Sequence, residues 1–388
     1  MPNGWSGPPK ASKFALDTRR IAPHFKVMGL LDTATTQIGR ARYAAAQGLR
    51  SAFYGAQYAA ARRQSAGFNR PGEAPFTPSS GKPDPAALRK AFFKLWSKDR
   101  ANIEAGLYSA PNDVRLRDLA KALRRSRDFL RDVREVDRRR LERNGTEVRE
   151  DGPGADTDRF PAYYRQNFHY QTDGWLSDES ADIYDHQVEA LFTGAADAMR
   201  RAALAEISRE LKGRDQREVR LLDLACGTGR FTRQILRTFP KLQASAIDLS
   251  PNYAAKARDL LAPWPQVDVM EGQAESLPLA DDSLDVIVSV YLFHELPVKV
   301  REAVIKEAAR VLKPGGLFII ADSLQFGDTE GLDPFLEYFP EGFHEPYYKQ
   351  YLSWDFAPSM EAAGAAGFAS ERVETAFLTK VRSWRLVG

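Results

Sequence analysis

The chain of 388 residues has a single cysteine, Cys226, and only five histidines. One cysteine excludes a disulfide framework and any metal site built from several thiolates, and it fits a reducing compartment. No apolar run approaches the roughly 20 residues a membrane-spanning helix needs. The start lacks the basic stretch and long apolar stretch of a secretory signal. These absences point to a cytoplasmic protein, with peripheral contact at a membrane surface as an open alternative. Acids are almost missing from residues 27–63, where Leu30, Leu31, Ile38, Tyr43, Leu49, Phe53, Tyr54 and Tyr58 recur at helical spacing among arginines. Such a basic amphipathic helix suits an anionic membrane surface, but docking on the rest of the protein or on a second copy in a homodimer is the simpler expectation. An organellar transit peptide shares the same composition.

The net charge of +3 conceals an asymmetry. Residues 1–159 carry 31 Lys/Arg against 18 Asp/Glu, and residues 160–388 carry 24 against 34. A split of this kind suggests separate units. The first is a basic, partly flexible region, 1–82, that closes with a Pro/Gly/Ser-rich linker. A charged helical region, 83–159, follows, with helices expected over 86–105 and from Asn112 or Asp113 to Asn144. The run Arg138-Arg139-Arg140 invites a nucleic-acid reading, but acids interleave it and no aromatic platform accompanies it. A solvated, salt-bridged face is the simpler expectation. Residues 160–204 crowd Tyr163, Tyr164, Phe168, His169, Tyr170, Gln171 and Trp175 ahead of two helical stretches. They read as a ligand lid, or as packing aromatics.

Residues 205–388 are organised around Leu221 to Phe231, an apolar run ending in Asp223, then Ala225-Cys226-Gly227-Thr228-Gly229, then a helical pattern. A strand that stops at a glycine turn and feeds a helix is a nucleotide-binding corner. Glycine allows the tight turn and the approach of a ligand, and the following helix start offers free N–H groups. Residues 244–248 read as a second strand ending in Asp248, placed for two ribose hydroxyls and unfavourable to a 2′-phosphate. Further strands are expected at 266–270, 284–290 and 317–321, with a final antiparallel hairpin within 372–386. Helices are expected at 231–236, 253–261, 300–312 (stopped by Lys313-Pro314-Gly315-Gly316) and 356–366. The alternation predicts an α/β fold: a doubly wound, mostly parallel, seven-stranded, Rossmann-like sheet with a helical N-terminal extension.

These motifs, with Gly272-Gln273-Ala274-Glu275-Ser276-Leu277-Pro278, Asp281 to Asp285 and Arg310 to Gly316, together resemble the class I S-adenosylmethionine-dependent methyltransferases. Within that class the resemblance is to the ubiquinone/menaquinone C-methyltransferases and other small-molecule enzymes, and it covers about residue 205 to the end. It implies that Asp223, Ala225, Gly227 and Gly229 hold the methionine end of the cofactor. Asp248 would take the ribose, with Leu249 against the adenine, Ala274 and Glu275 flanking it, and Tyr291 nearby. Gln273 stands where relatives often carry Asp. Residues 1–160 have no counterpart in the family core.

Methyl transfer from a sulfonium is an in-line displacement, so the protein chiefly aligns donor and acceptor; a base is needed only if the acceptor must lose a proton. Acceptor-side candidates lie beyond the carboxyl ends of strands four and five. They are His294 and Glu295 after the fourth strand, Asp322 after the fifth, and His344 with Glu345 in the insertion 326–355. A structural hydrogen bond at a helix start is the alternative for His294. Tyr163, Tyr170, Gln171, Trp175, Glu345 and Tyr347 are the substrate or lid candidates. Nothing fixes a metal geometry among the carboxylates and histidines, and no metal is assigned. The segment after strand four lacks the Asn/Asp-Pro-Pro-aromatic signature of amino-methylating nucleic-acid enzymes. A small acceptor is therefore expected, apolar or aromatic given the aromatics at 160–175 and 335–354. The alternatives are a nucleic-acid or protein methyltransferase tethered by the basic half, and a non-catalytic cofactor-binding protein.

Overall fold

The computed structural model describes residues 22–65, 72–111, 119–150, 159–364 and 367–388, with the backbone alone for 22–35 and 119–121. The expected flexible lead (residues 1–21 of it), the linker residues 66–71, the cap at Asn112 or Asp113, Leu116 and the Gly/Pro/Asp-rich stretch 151–158 lie outside the described residues. The chain divides into two units, 1–46 and 47–388. The expected regions 83–159, 160–204 and 205–388 all fall inside the second.

The first helix, α1, spans Ala22–Gln64. Helix α2 (Pro85–Glu104) is capped by Asp84, whose carboxylate accepts the Ala86 N–H at 2.7 Å, and Pro85 suits its first turn. Helices α3 (Leu119–Glu142), α4 (Glu147–Glu150), α5 (Asp178–Leu191) and α6 (Ala196–Glu210) follow. Beyond them strands and helices alternate: β1 (Arg220–Leu224), α7 (Arg230–Thr238), β2 (Gln243–Asp248), α8 (Pro251–Leu261), β3 (Val267–Glu271), β4 (Leu284–Val290), α9 (Val298–Val311) and β5 (Leu312–Ser323). Helices α10 (Asp333–Gly342), α11 (Tyr348–Tyr351) and α12 (Ala357–Glu361) precede the hairpin β6 (Phe368–Ala376) and β7 (Thr379–Leu386).

The seven strands form one sheet in the order β3-β2-β1-β4-β5-β7-β6, parallel except for the antiparallel β7 and β6. This is the doubly wound, mostly parallel sheet expected from the alternation. One detail differs. Lys313 to Gly316 does not lie outside β5 as a helix stop but bulges within it. Leu284 pairs with Leu312 and Val286 with Leu317, so the intervening residues loop out of register. Gly315, at φ +77°, makes the turn possible.

Alternation along the central strands divides the core between the two faces. Leu221, Val286, Val288 and Ile319 pack with α6 residues such as Met199, Ala203 and Ile207 on one side. Leu222, Leu224, Ile287 and Phe318 pack with Val304, Ile305 and Ala308 of α9 on the other. Strands buried on both faces read as continuous apolar runs, as 284–290 does.

The N-terminal helices of the second unit are fastened to this sheet by buried ion pairs. Arg201 of α6 donates two hydrogen bonds to Asp99 of α2, at 2.8 and 2.7 Å, and Tyr108 donates a third at 2.9 Å. Arg50 of α1 donates to the Gly194 carbonyl and to Asp197, both at 2.9 Å, and lies 2.6 Å from Glu189. Phe53 and Tyr54 pack against His186. The 47–64 portion of the basic helix therefore docks on the protein itself. In the arginine run Arg138 lies on a solvated, salt-bridged face with Glu135, Glu142 and Glu147, but its two neighbours do not. Arg139 and Arg140 are buried, Arg139 on Glu147, the Tyr170 carbonyl and Thr172, and Arg140 on Asp137 and Ser65. Among the described residues no helix is long and apolar enough to cross a membrane.

Removing one partner of a buried ion pair strands the other charge. Asp99→Ala should lower stability by about 3–5 kcal/mol, read from the denaturant midpoint. The double replacement Asp99→Ala, Arg201→Met should recover part of that loss.

Candidate functional site

Two cavities open at the carboxyl ends of the parallel strands. The first, about 110 Å³, lies over the glycine corner. Here β1 ends and the backbone takes three left-handed residues, Ala225 (φ +59°), Gly227 (φ +57°) and Gly229 (φ +75°). A Cβ at Gly229 would come within 3.0 Å of Ala257, so glycine there answers both the turn and the packing of α7 on α8. The Gly227 N–H donates to Asp248 at 2.7 Å and the Ser250 N–H at 2.9 Å. Burial pushes the Asp248 carboxyl up to about 6 against these bonds.

Ala225, Gly227, Asp248, Leu249, Ala274, Glu275 and Tyr291 all line this cavity. Asp223, Gly229 and Gln273 do not. Asp223 is buried under the turn, where Thr232 donates to it at 2.5 Å and burial raises its carboxyl to about 7. The expected lid residues Tyr163 and Trp175 close the cavity, together with Tyr164 and Phe168. Tyr163 donates to Glu275 Oε1 at 2.6 Å, while Glu275 Oε2 is buried with no hydrogen-bond partner. A bare buried acceptor beside the Leu249 and Ala274 walls fits an adenine amine, and Asp248 fits a ribose.

The second cavity, about 220 Å³, is mostly apolar. Its walls come from α1 (Tyr58), α3 (Phe129, Val133, Val136), α5 (Val188, Leu191) and the insertion (Phe335, Phe339). Its polar floor holds His169, Gln171, His294, Glu295 and Ser323, and Arg62, Asp132, Asp137, Arg140 and Gln187 add polar groups among the walls. Tyr184, Tyr291 and Glu295 line both cavities, so the two share a wall.

The floor is held from behind. Asp322, at the end of β5, lies 2.5 Å from His294 Nδ1 and accepts the Phe293 N–H at 2.7 Å. Burial alone would lower the His294 ring, but Asp322 and Glu295 outweigh it and raise it to about 9. Burial and the neighbouring Glu345 push Glu295 up to about 7. Arg301 is fully buried beneath the turn and donates to the Phe293 and Tyr347 carbonyls at 2.7 and 2.9 Å.

The structure thus brings His294, Glu295 and Asp322 together. His344 lies elsewhere, 3.0 Å from Gln166 Oε1 and packed on Gly145, and burial lowers its ring. Glu345 is buried 2.5 Å from His169 Nε2. Tyr170 and Tyr347 line neither cavity; their carbonyls serve as acceptors for Arg139 and Arg301. Sequence reasoning missed His169 as a site residue, and also Tyr184 and Arg301. The aromatic crowding at 160–175 was the available signal for His169; nothing in the spacing of Arg301 announces its role.

Residues 221–316 match the family model described as a methyltransferase domain. Over 152 residues the chain is 33% identical to a demethylmenaquinone methyltransferase of Chlorobaculum parvum, covering 38% of this chain and 58% of that protein. It is 35% identical over 97 residues to a malonyl-[acyl-carrier protein] O-methyltransferase of Methylococcus capsulatus, covering 25% and 34%. The chain thus spans less than two thirds of the length of these relatives. Among solved structures it is similar to a SAM-dependent methyltransferase from Aquifex aeolicus, with 21% identity, a TM-score of 0.36, and coverage of 47% of this chain and 88% of that one. The matched segment is a methyltransferase domain, which implies S-adenosylmethionine as its cofactor.

A ribose hydroxyl is received better by a carboxylate than by a carboxylic acid. With Asp248 at about 6, the affinity for S-adenosylhomocysteine should fall about tenfold from pH 7 to pH 5, measured by calorimetry. Asp248→Asn should bind more weakly at pH 7 and show a flatter profile.

Proposed function

We propose that this protein transfers the methyl group of S-adenosylmethionine to a small, mostly apolar acceptor. The wall shared by the two cavities carries this reading: Tyr184, Tyr291 and Glu295 face both. In-line transfer needs a donor and an acceptor on opposite sides of one short gap, dry and aligned, and two cavities that meet at three side chains supply that arrangement.

Bound in the smaller cavity, the cofactor supplies an electrophilic methyl group. Asp248 accepts from its ribose, Glu275 and Leu249 hold the base, and the left-handed turn at Ala225 and Gly227 receives the amino-acid end. Tyr163, Tyr164 and Trp175 cover it and exclude water. On the other side Phe129, Val133, Val136, Leu191 and Phe339 take the acceptor's apolar body. Asp322 fixes the His294 ring at the floor, where His294 and Glu295 orient the acceptor's polar end. The quinone methyltransferase and the acyl-carrier-protein methyltransferase among the relatives act on different acceptors, which leaves the acceptor to be read from the cavity.

The test couples binding to turnover. Purified protein should bind S-adenosylmethionine by calorimetry and transfer its methyl group to a member of a panel of apolar carboxylic acids, phenols and quinols. Absence of cofactor binding would sink the proposal. Val136→Trp, which fills the acceptor cavity, should leave S-adenosylhomocysteine affinity unchanged and reduce kcat/KM at least about tenfold, a loss of transition-state contact.

A further inference from the structure

Three side chains from distant stretches converge at the larger cavity, His169 and Glu295 lining it and Glu345 buried beside His169. His169 comes from a single 3-10 turn, Phe168–Tyr170. Glu295 comes from the turn after β4, and Glu345 from the segment between α10 and α11. His169 Nε2 lies 3.4 Å from Glu295 Oε1 and 2.5 Å from Glu345 Oε1. One ligand-capable atom from each of the three lies within 4.8 Å of the others.

The carboxylates are only partly satisfied by the protein. The Glu345 side chain is fully buried, and beyond its 2.5 Å ion-pair contact with His169 its second oxygen, Oε2, is left bare. Glu295 Oε2, also buried, is bare as well. Native structures rarely leave such oxygens unpaired, because a desolvated carboxylate without a partner is costly. His169 is held there against a backbone preference. Both it and Tyr170 sit at φ +57°, a left-handed conformation that non-glycine residues avoid. The His169 N–H donates to the His344 carbonyl at 3.0 Å and Arg139 donates to the Tyr170 carbonyl at 3.2 Å, so the surroundings maintain the strained turn.

We propose that His169, Glu295 and Glu345 bind a divalent transition-metal ion, Zn²⁺, Mn²⁺ or Fe²⁺, at the floor of the acceptor cavity. One imidazole and two carboxylates suit these borderline ions. Three protein ligands leave a position open, as in catalytic metal sites. His169 and Glu295 both line the apolar cavity, so the open position faces it. The ligand it would take is an oxygen of the acceptor, a carboxylate, enolate or phenolate, which the ion would polarise as a Lewis acid. His294 Nε2, 3.5 Å from Glu295 Oε1, supports the Glu295 carboxylate from behind. Binding of the ion stands on the three ligands alone; the acceptor oxygen as its further ligand rests on the methyl-transfer reading.

Metal content of the full-length protein, isolated without an immobilised-metal resin and dialysed, is the deciding measurement. Plasma mass spectrometry should find about one equivalent of one of the three ions per chain, as expected for three protein ligands. The double variant His169→Gln, Glu345→Gln should carry only background. Chelator-stripped wild type should bind Zn²⁺, Mn²⁺ or Fe²⁺ (the last anaerobically) by calorimetry, with a rise in Tm. Wild type that is metal-free as isolated and shows neither heat nor a Tm rise with any of the three ions would overturn the proposal. So would equal metal in a folded double variant. If the double variant does not fold, the wild-type titration alone separates the two outcomes.

Discussion

Glu189 and Asp197 are buried among Arg50, Arg200 and Arg230, and the geometry of both cavities hangs on that cluster. Arg230 opens α7 directly after the glycine corner and donates to Asp197 at two distances of 2.7 Å. Asp197 begins α6, Glu189 belongs to α5, and Arg50 reaches in from α1. One group of charges thus joins the cofactor turn, a wall of the acceptor cavity and the N-terminal helix. Burying that many charges is costly, and only the mutual pairing offsets it. The arginines hold Asp197 well below the usual carboxylate range, despite burial that acts the other way. A helix displaced from this cluster would leave a charge uncompensated, so α1 and α5 have little freedom to drift. This rigidity matters because α1, α3 and α5 shape the acceptor side.

The acceptor side is consequently an addition to the domain rather than a part of its core. The sheet and its glycine corner line the smaller cavity and supply the floor residues Glu295 and His294, with Asp322 behind His294. The helices before β1 and the insertion after β5 supply the walls and bring His169 to the same floor, with Glu345 buried beside it. Glu295 lies between two histidines, with its Oε1 3.4 Å from His169 Nε2 and 3.5 Å from His294 Nε2.

The cofactor half was legible in the sequence because it is local. A left-handed turn needs glycine at Gly227 and Gly229, a buried parallel strand needs an uninterrupted apolar run at 284–290, and the acid at Asp248 falls at a fixed distance from the turn. These constraints act within a few residues or one strand–helix repeat. The interleaved acids near Arg138 suggested a solvated face, but burial of Arg139 and Arg140 is a property of the packed surface and has no local signature. His344 and His169 illustrate the same limit. Both are histidines in aromatic surroundings. A backbone hydrogen bond between their segments sends one ring to Gln166 and the other to Glu345.

By itself, then, the sequence determined the α/β alternation, the nucleotide corner, the cofactor class implied by the motifs, and the candidacy of His294, Glu295 and Asp322. It did so because backbone turns and strand burial impose residue types at short, countable spacings. Only the tertiary structure decided that the basic helix docks on its own protein from residue 47 onward. It also decided that Tyr163 and Trp175 line the smaller cavity and that His169 joins Glu295 and Glu345. Those outcomes rest on contacts between residues more than a hundred positions apart, where pairing of buried charges and the shape of a cavity, not spacing along the chain, select the partner.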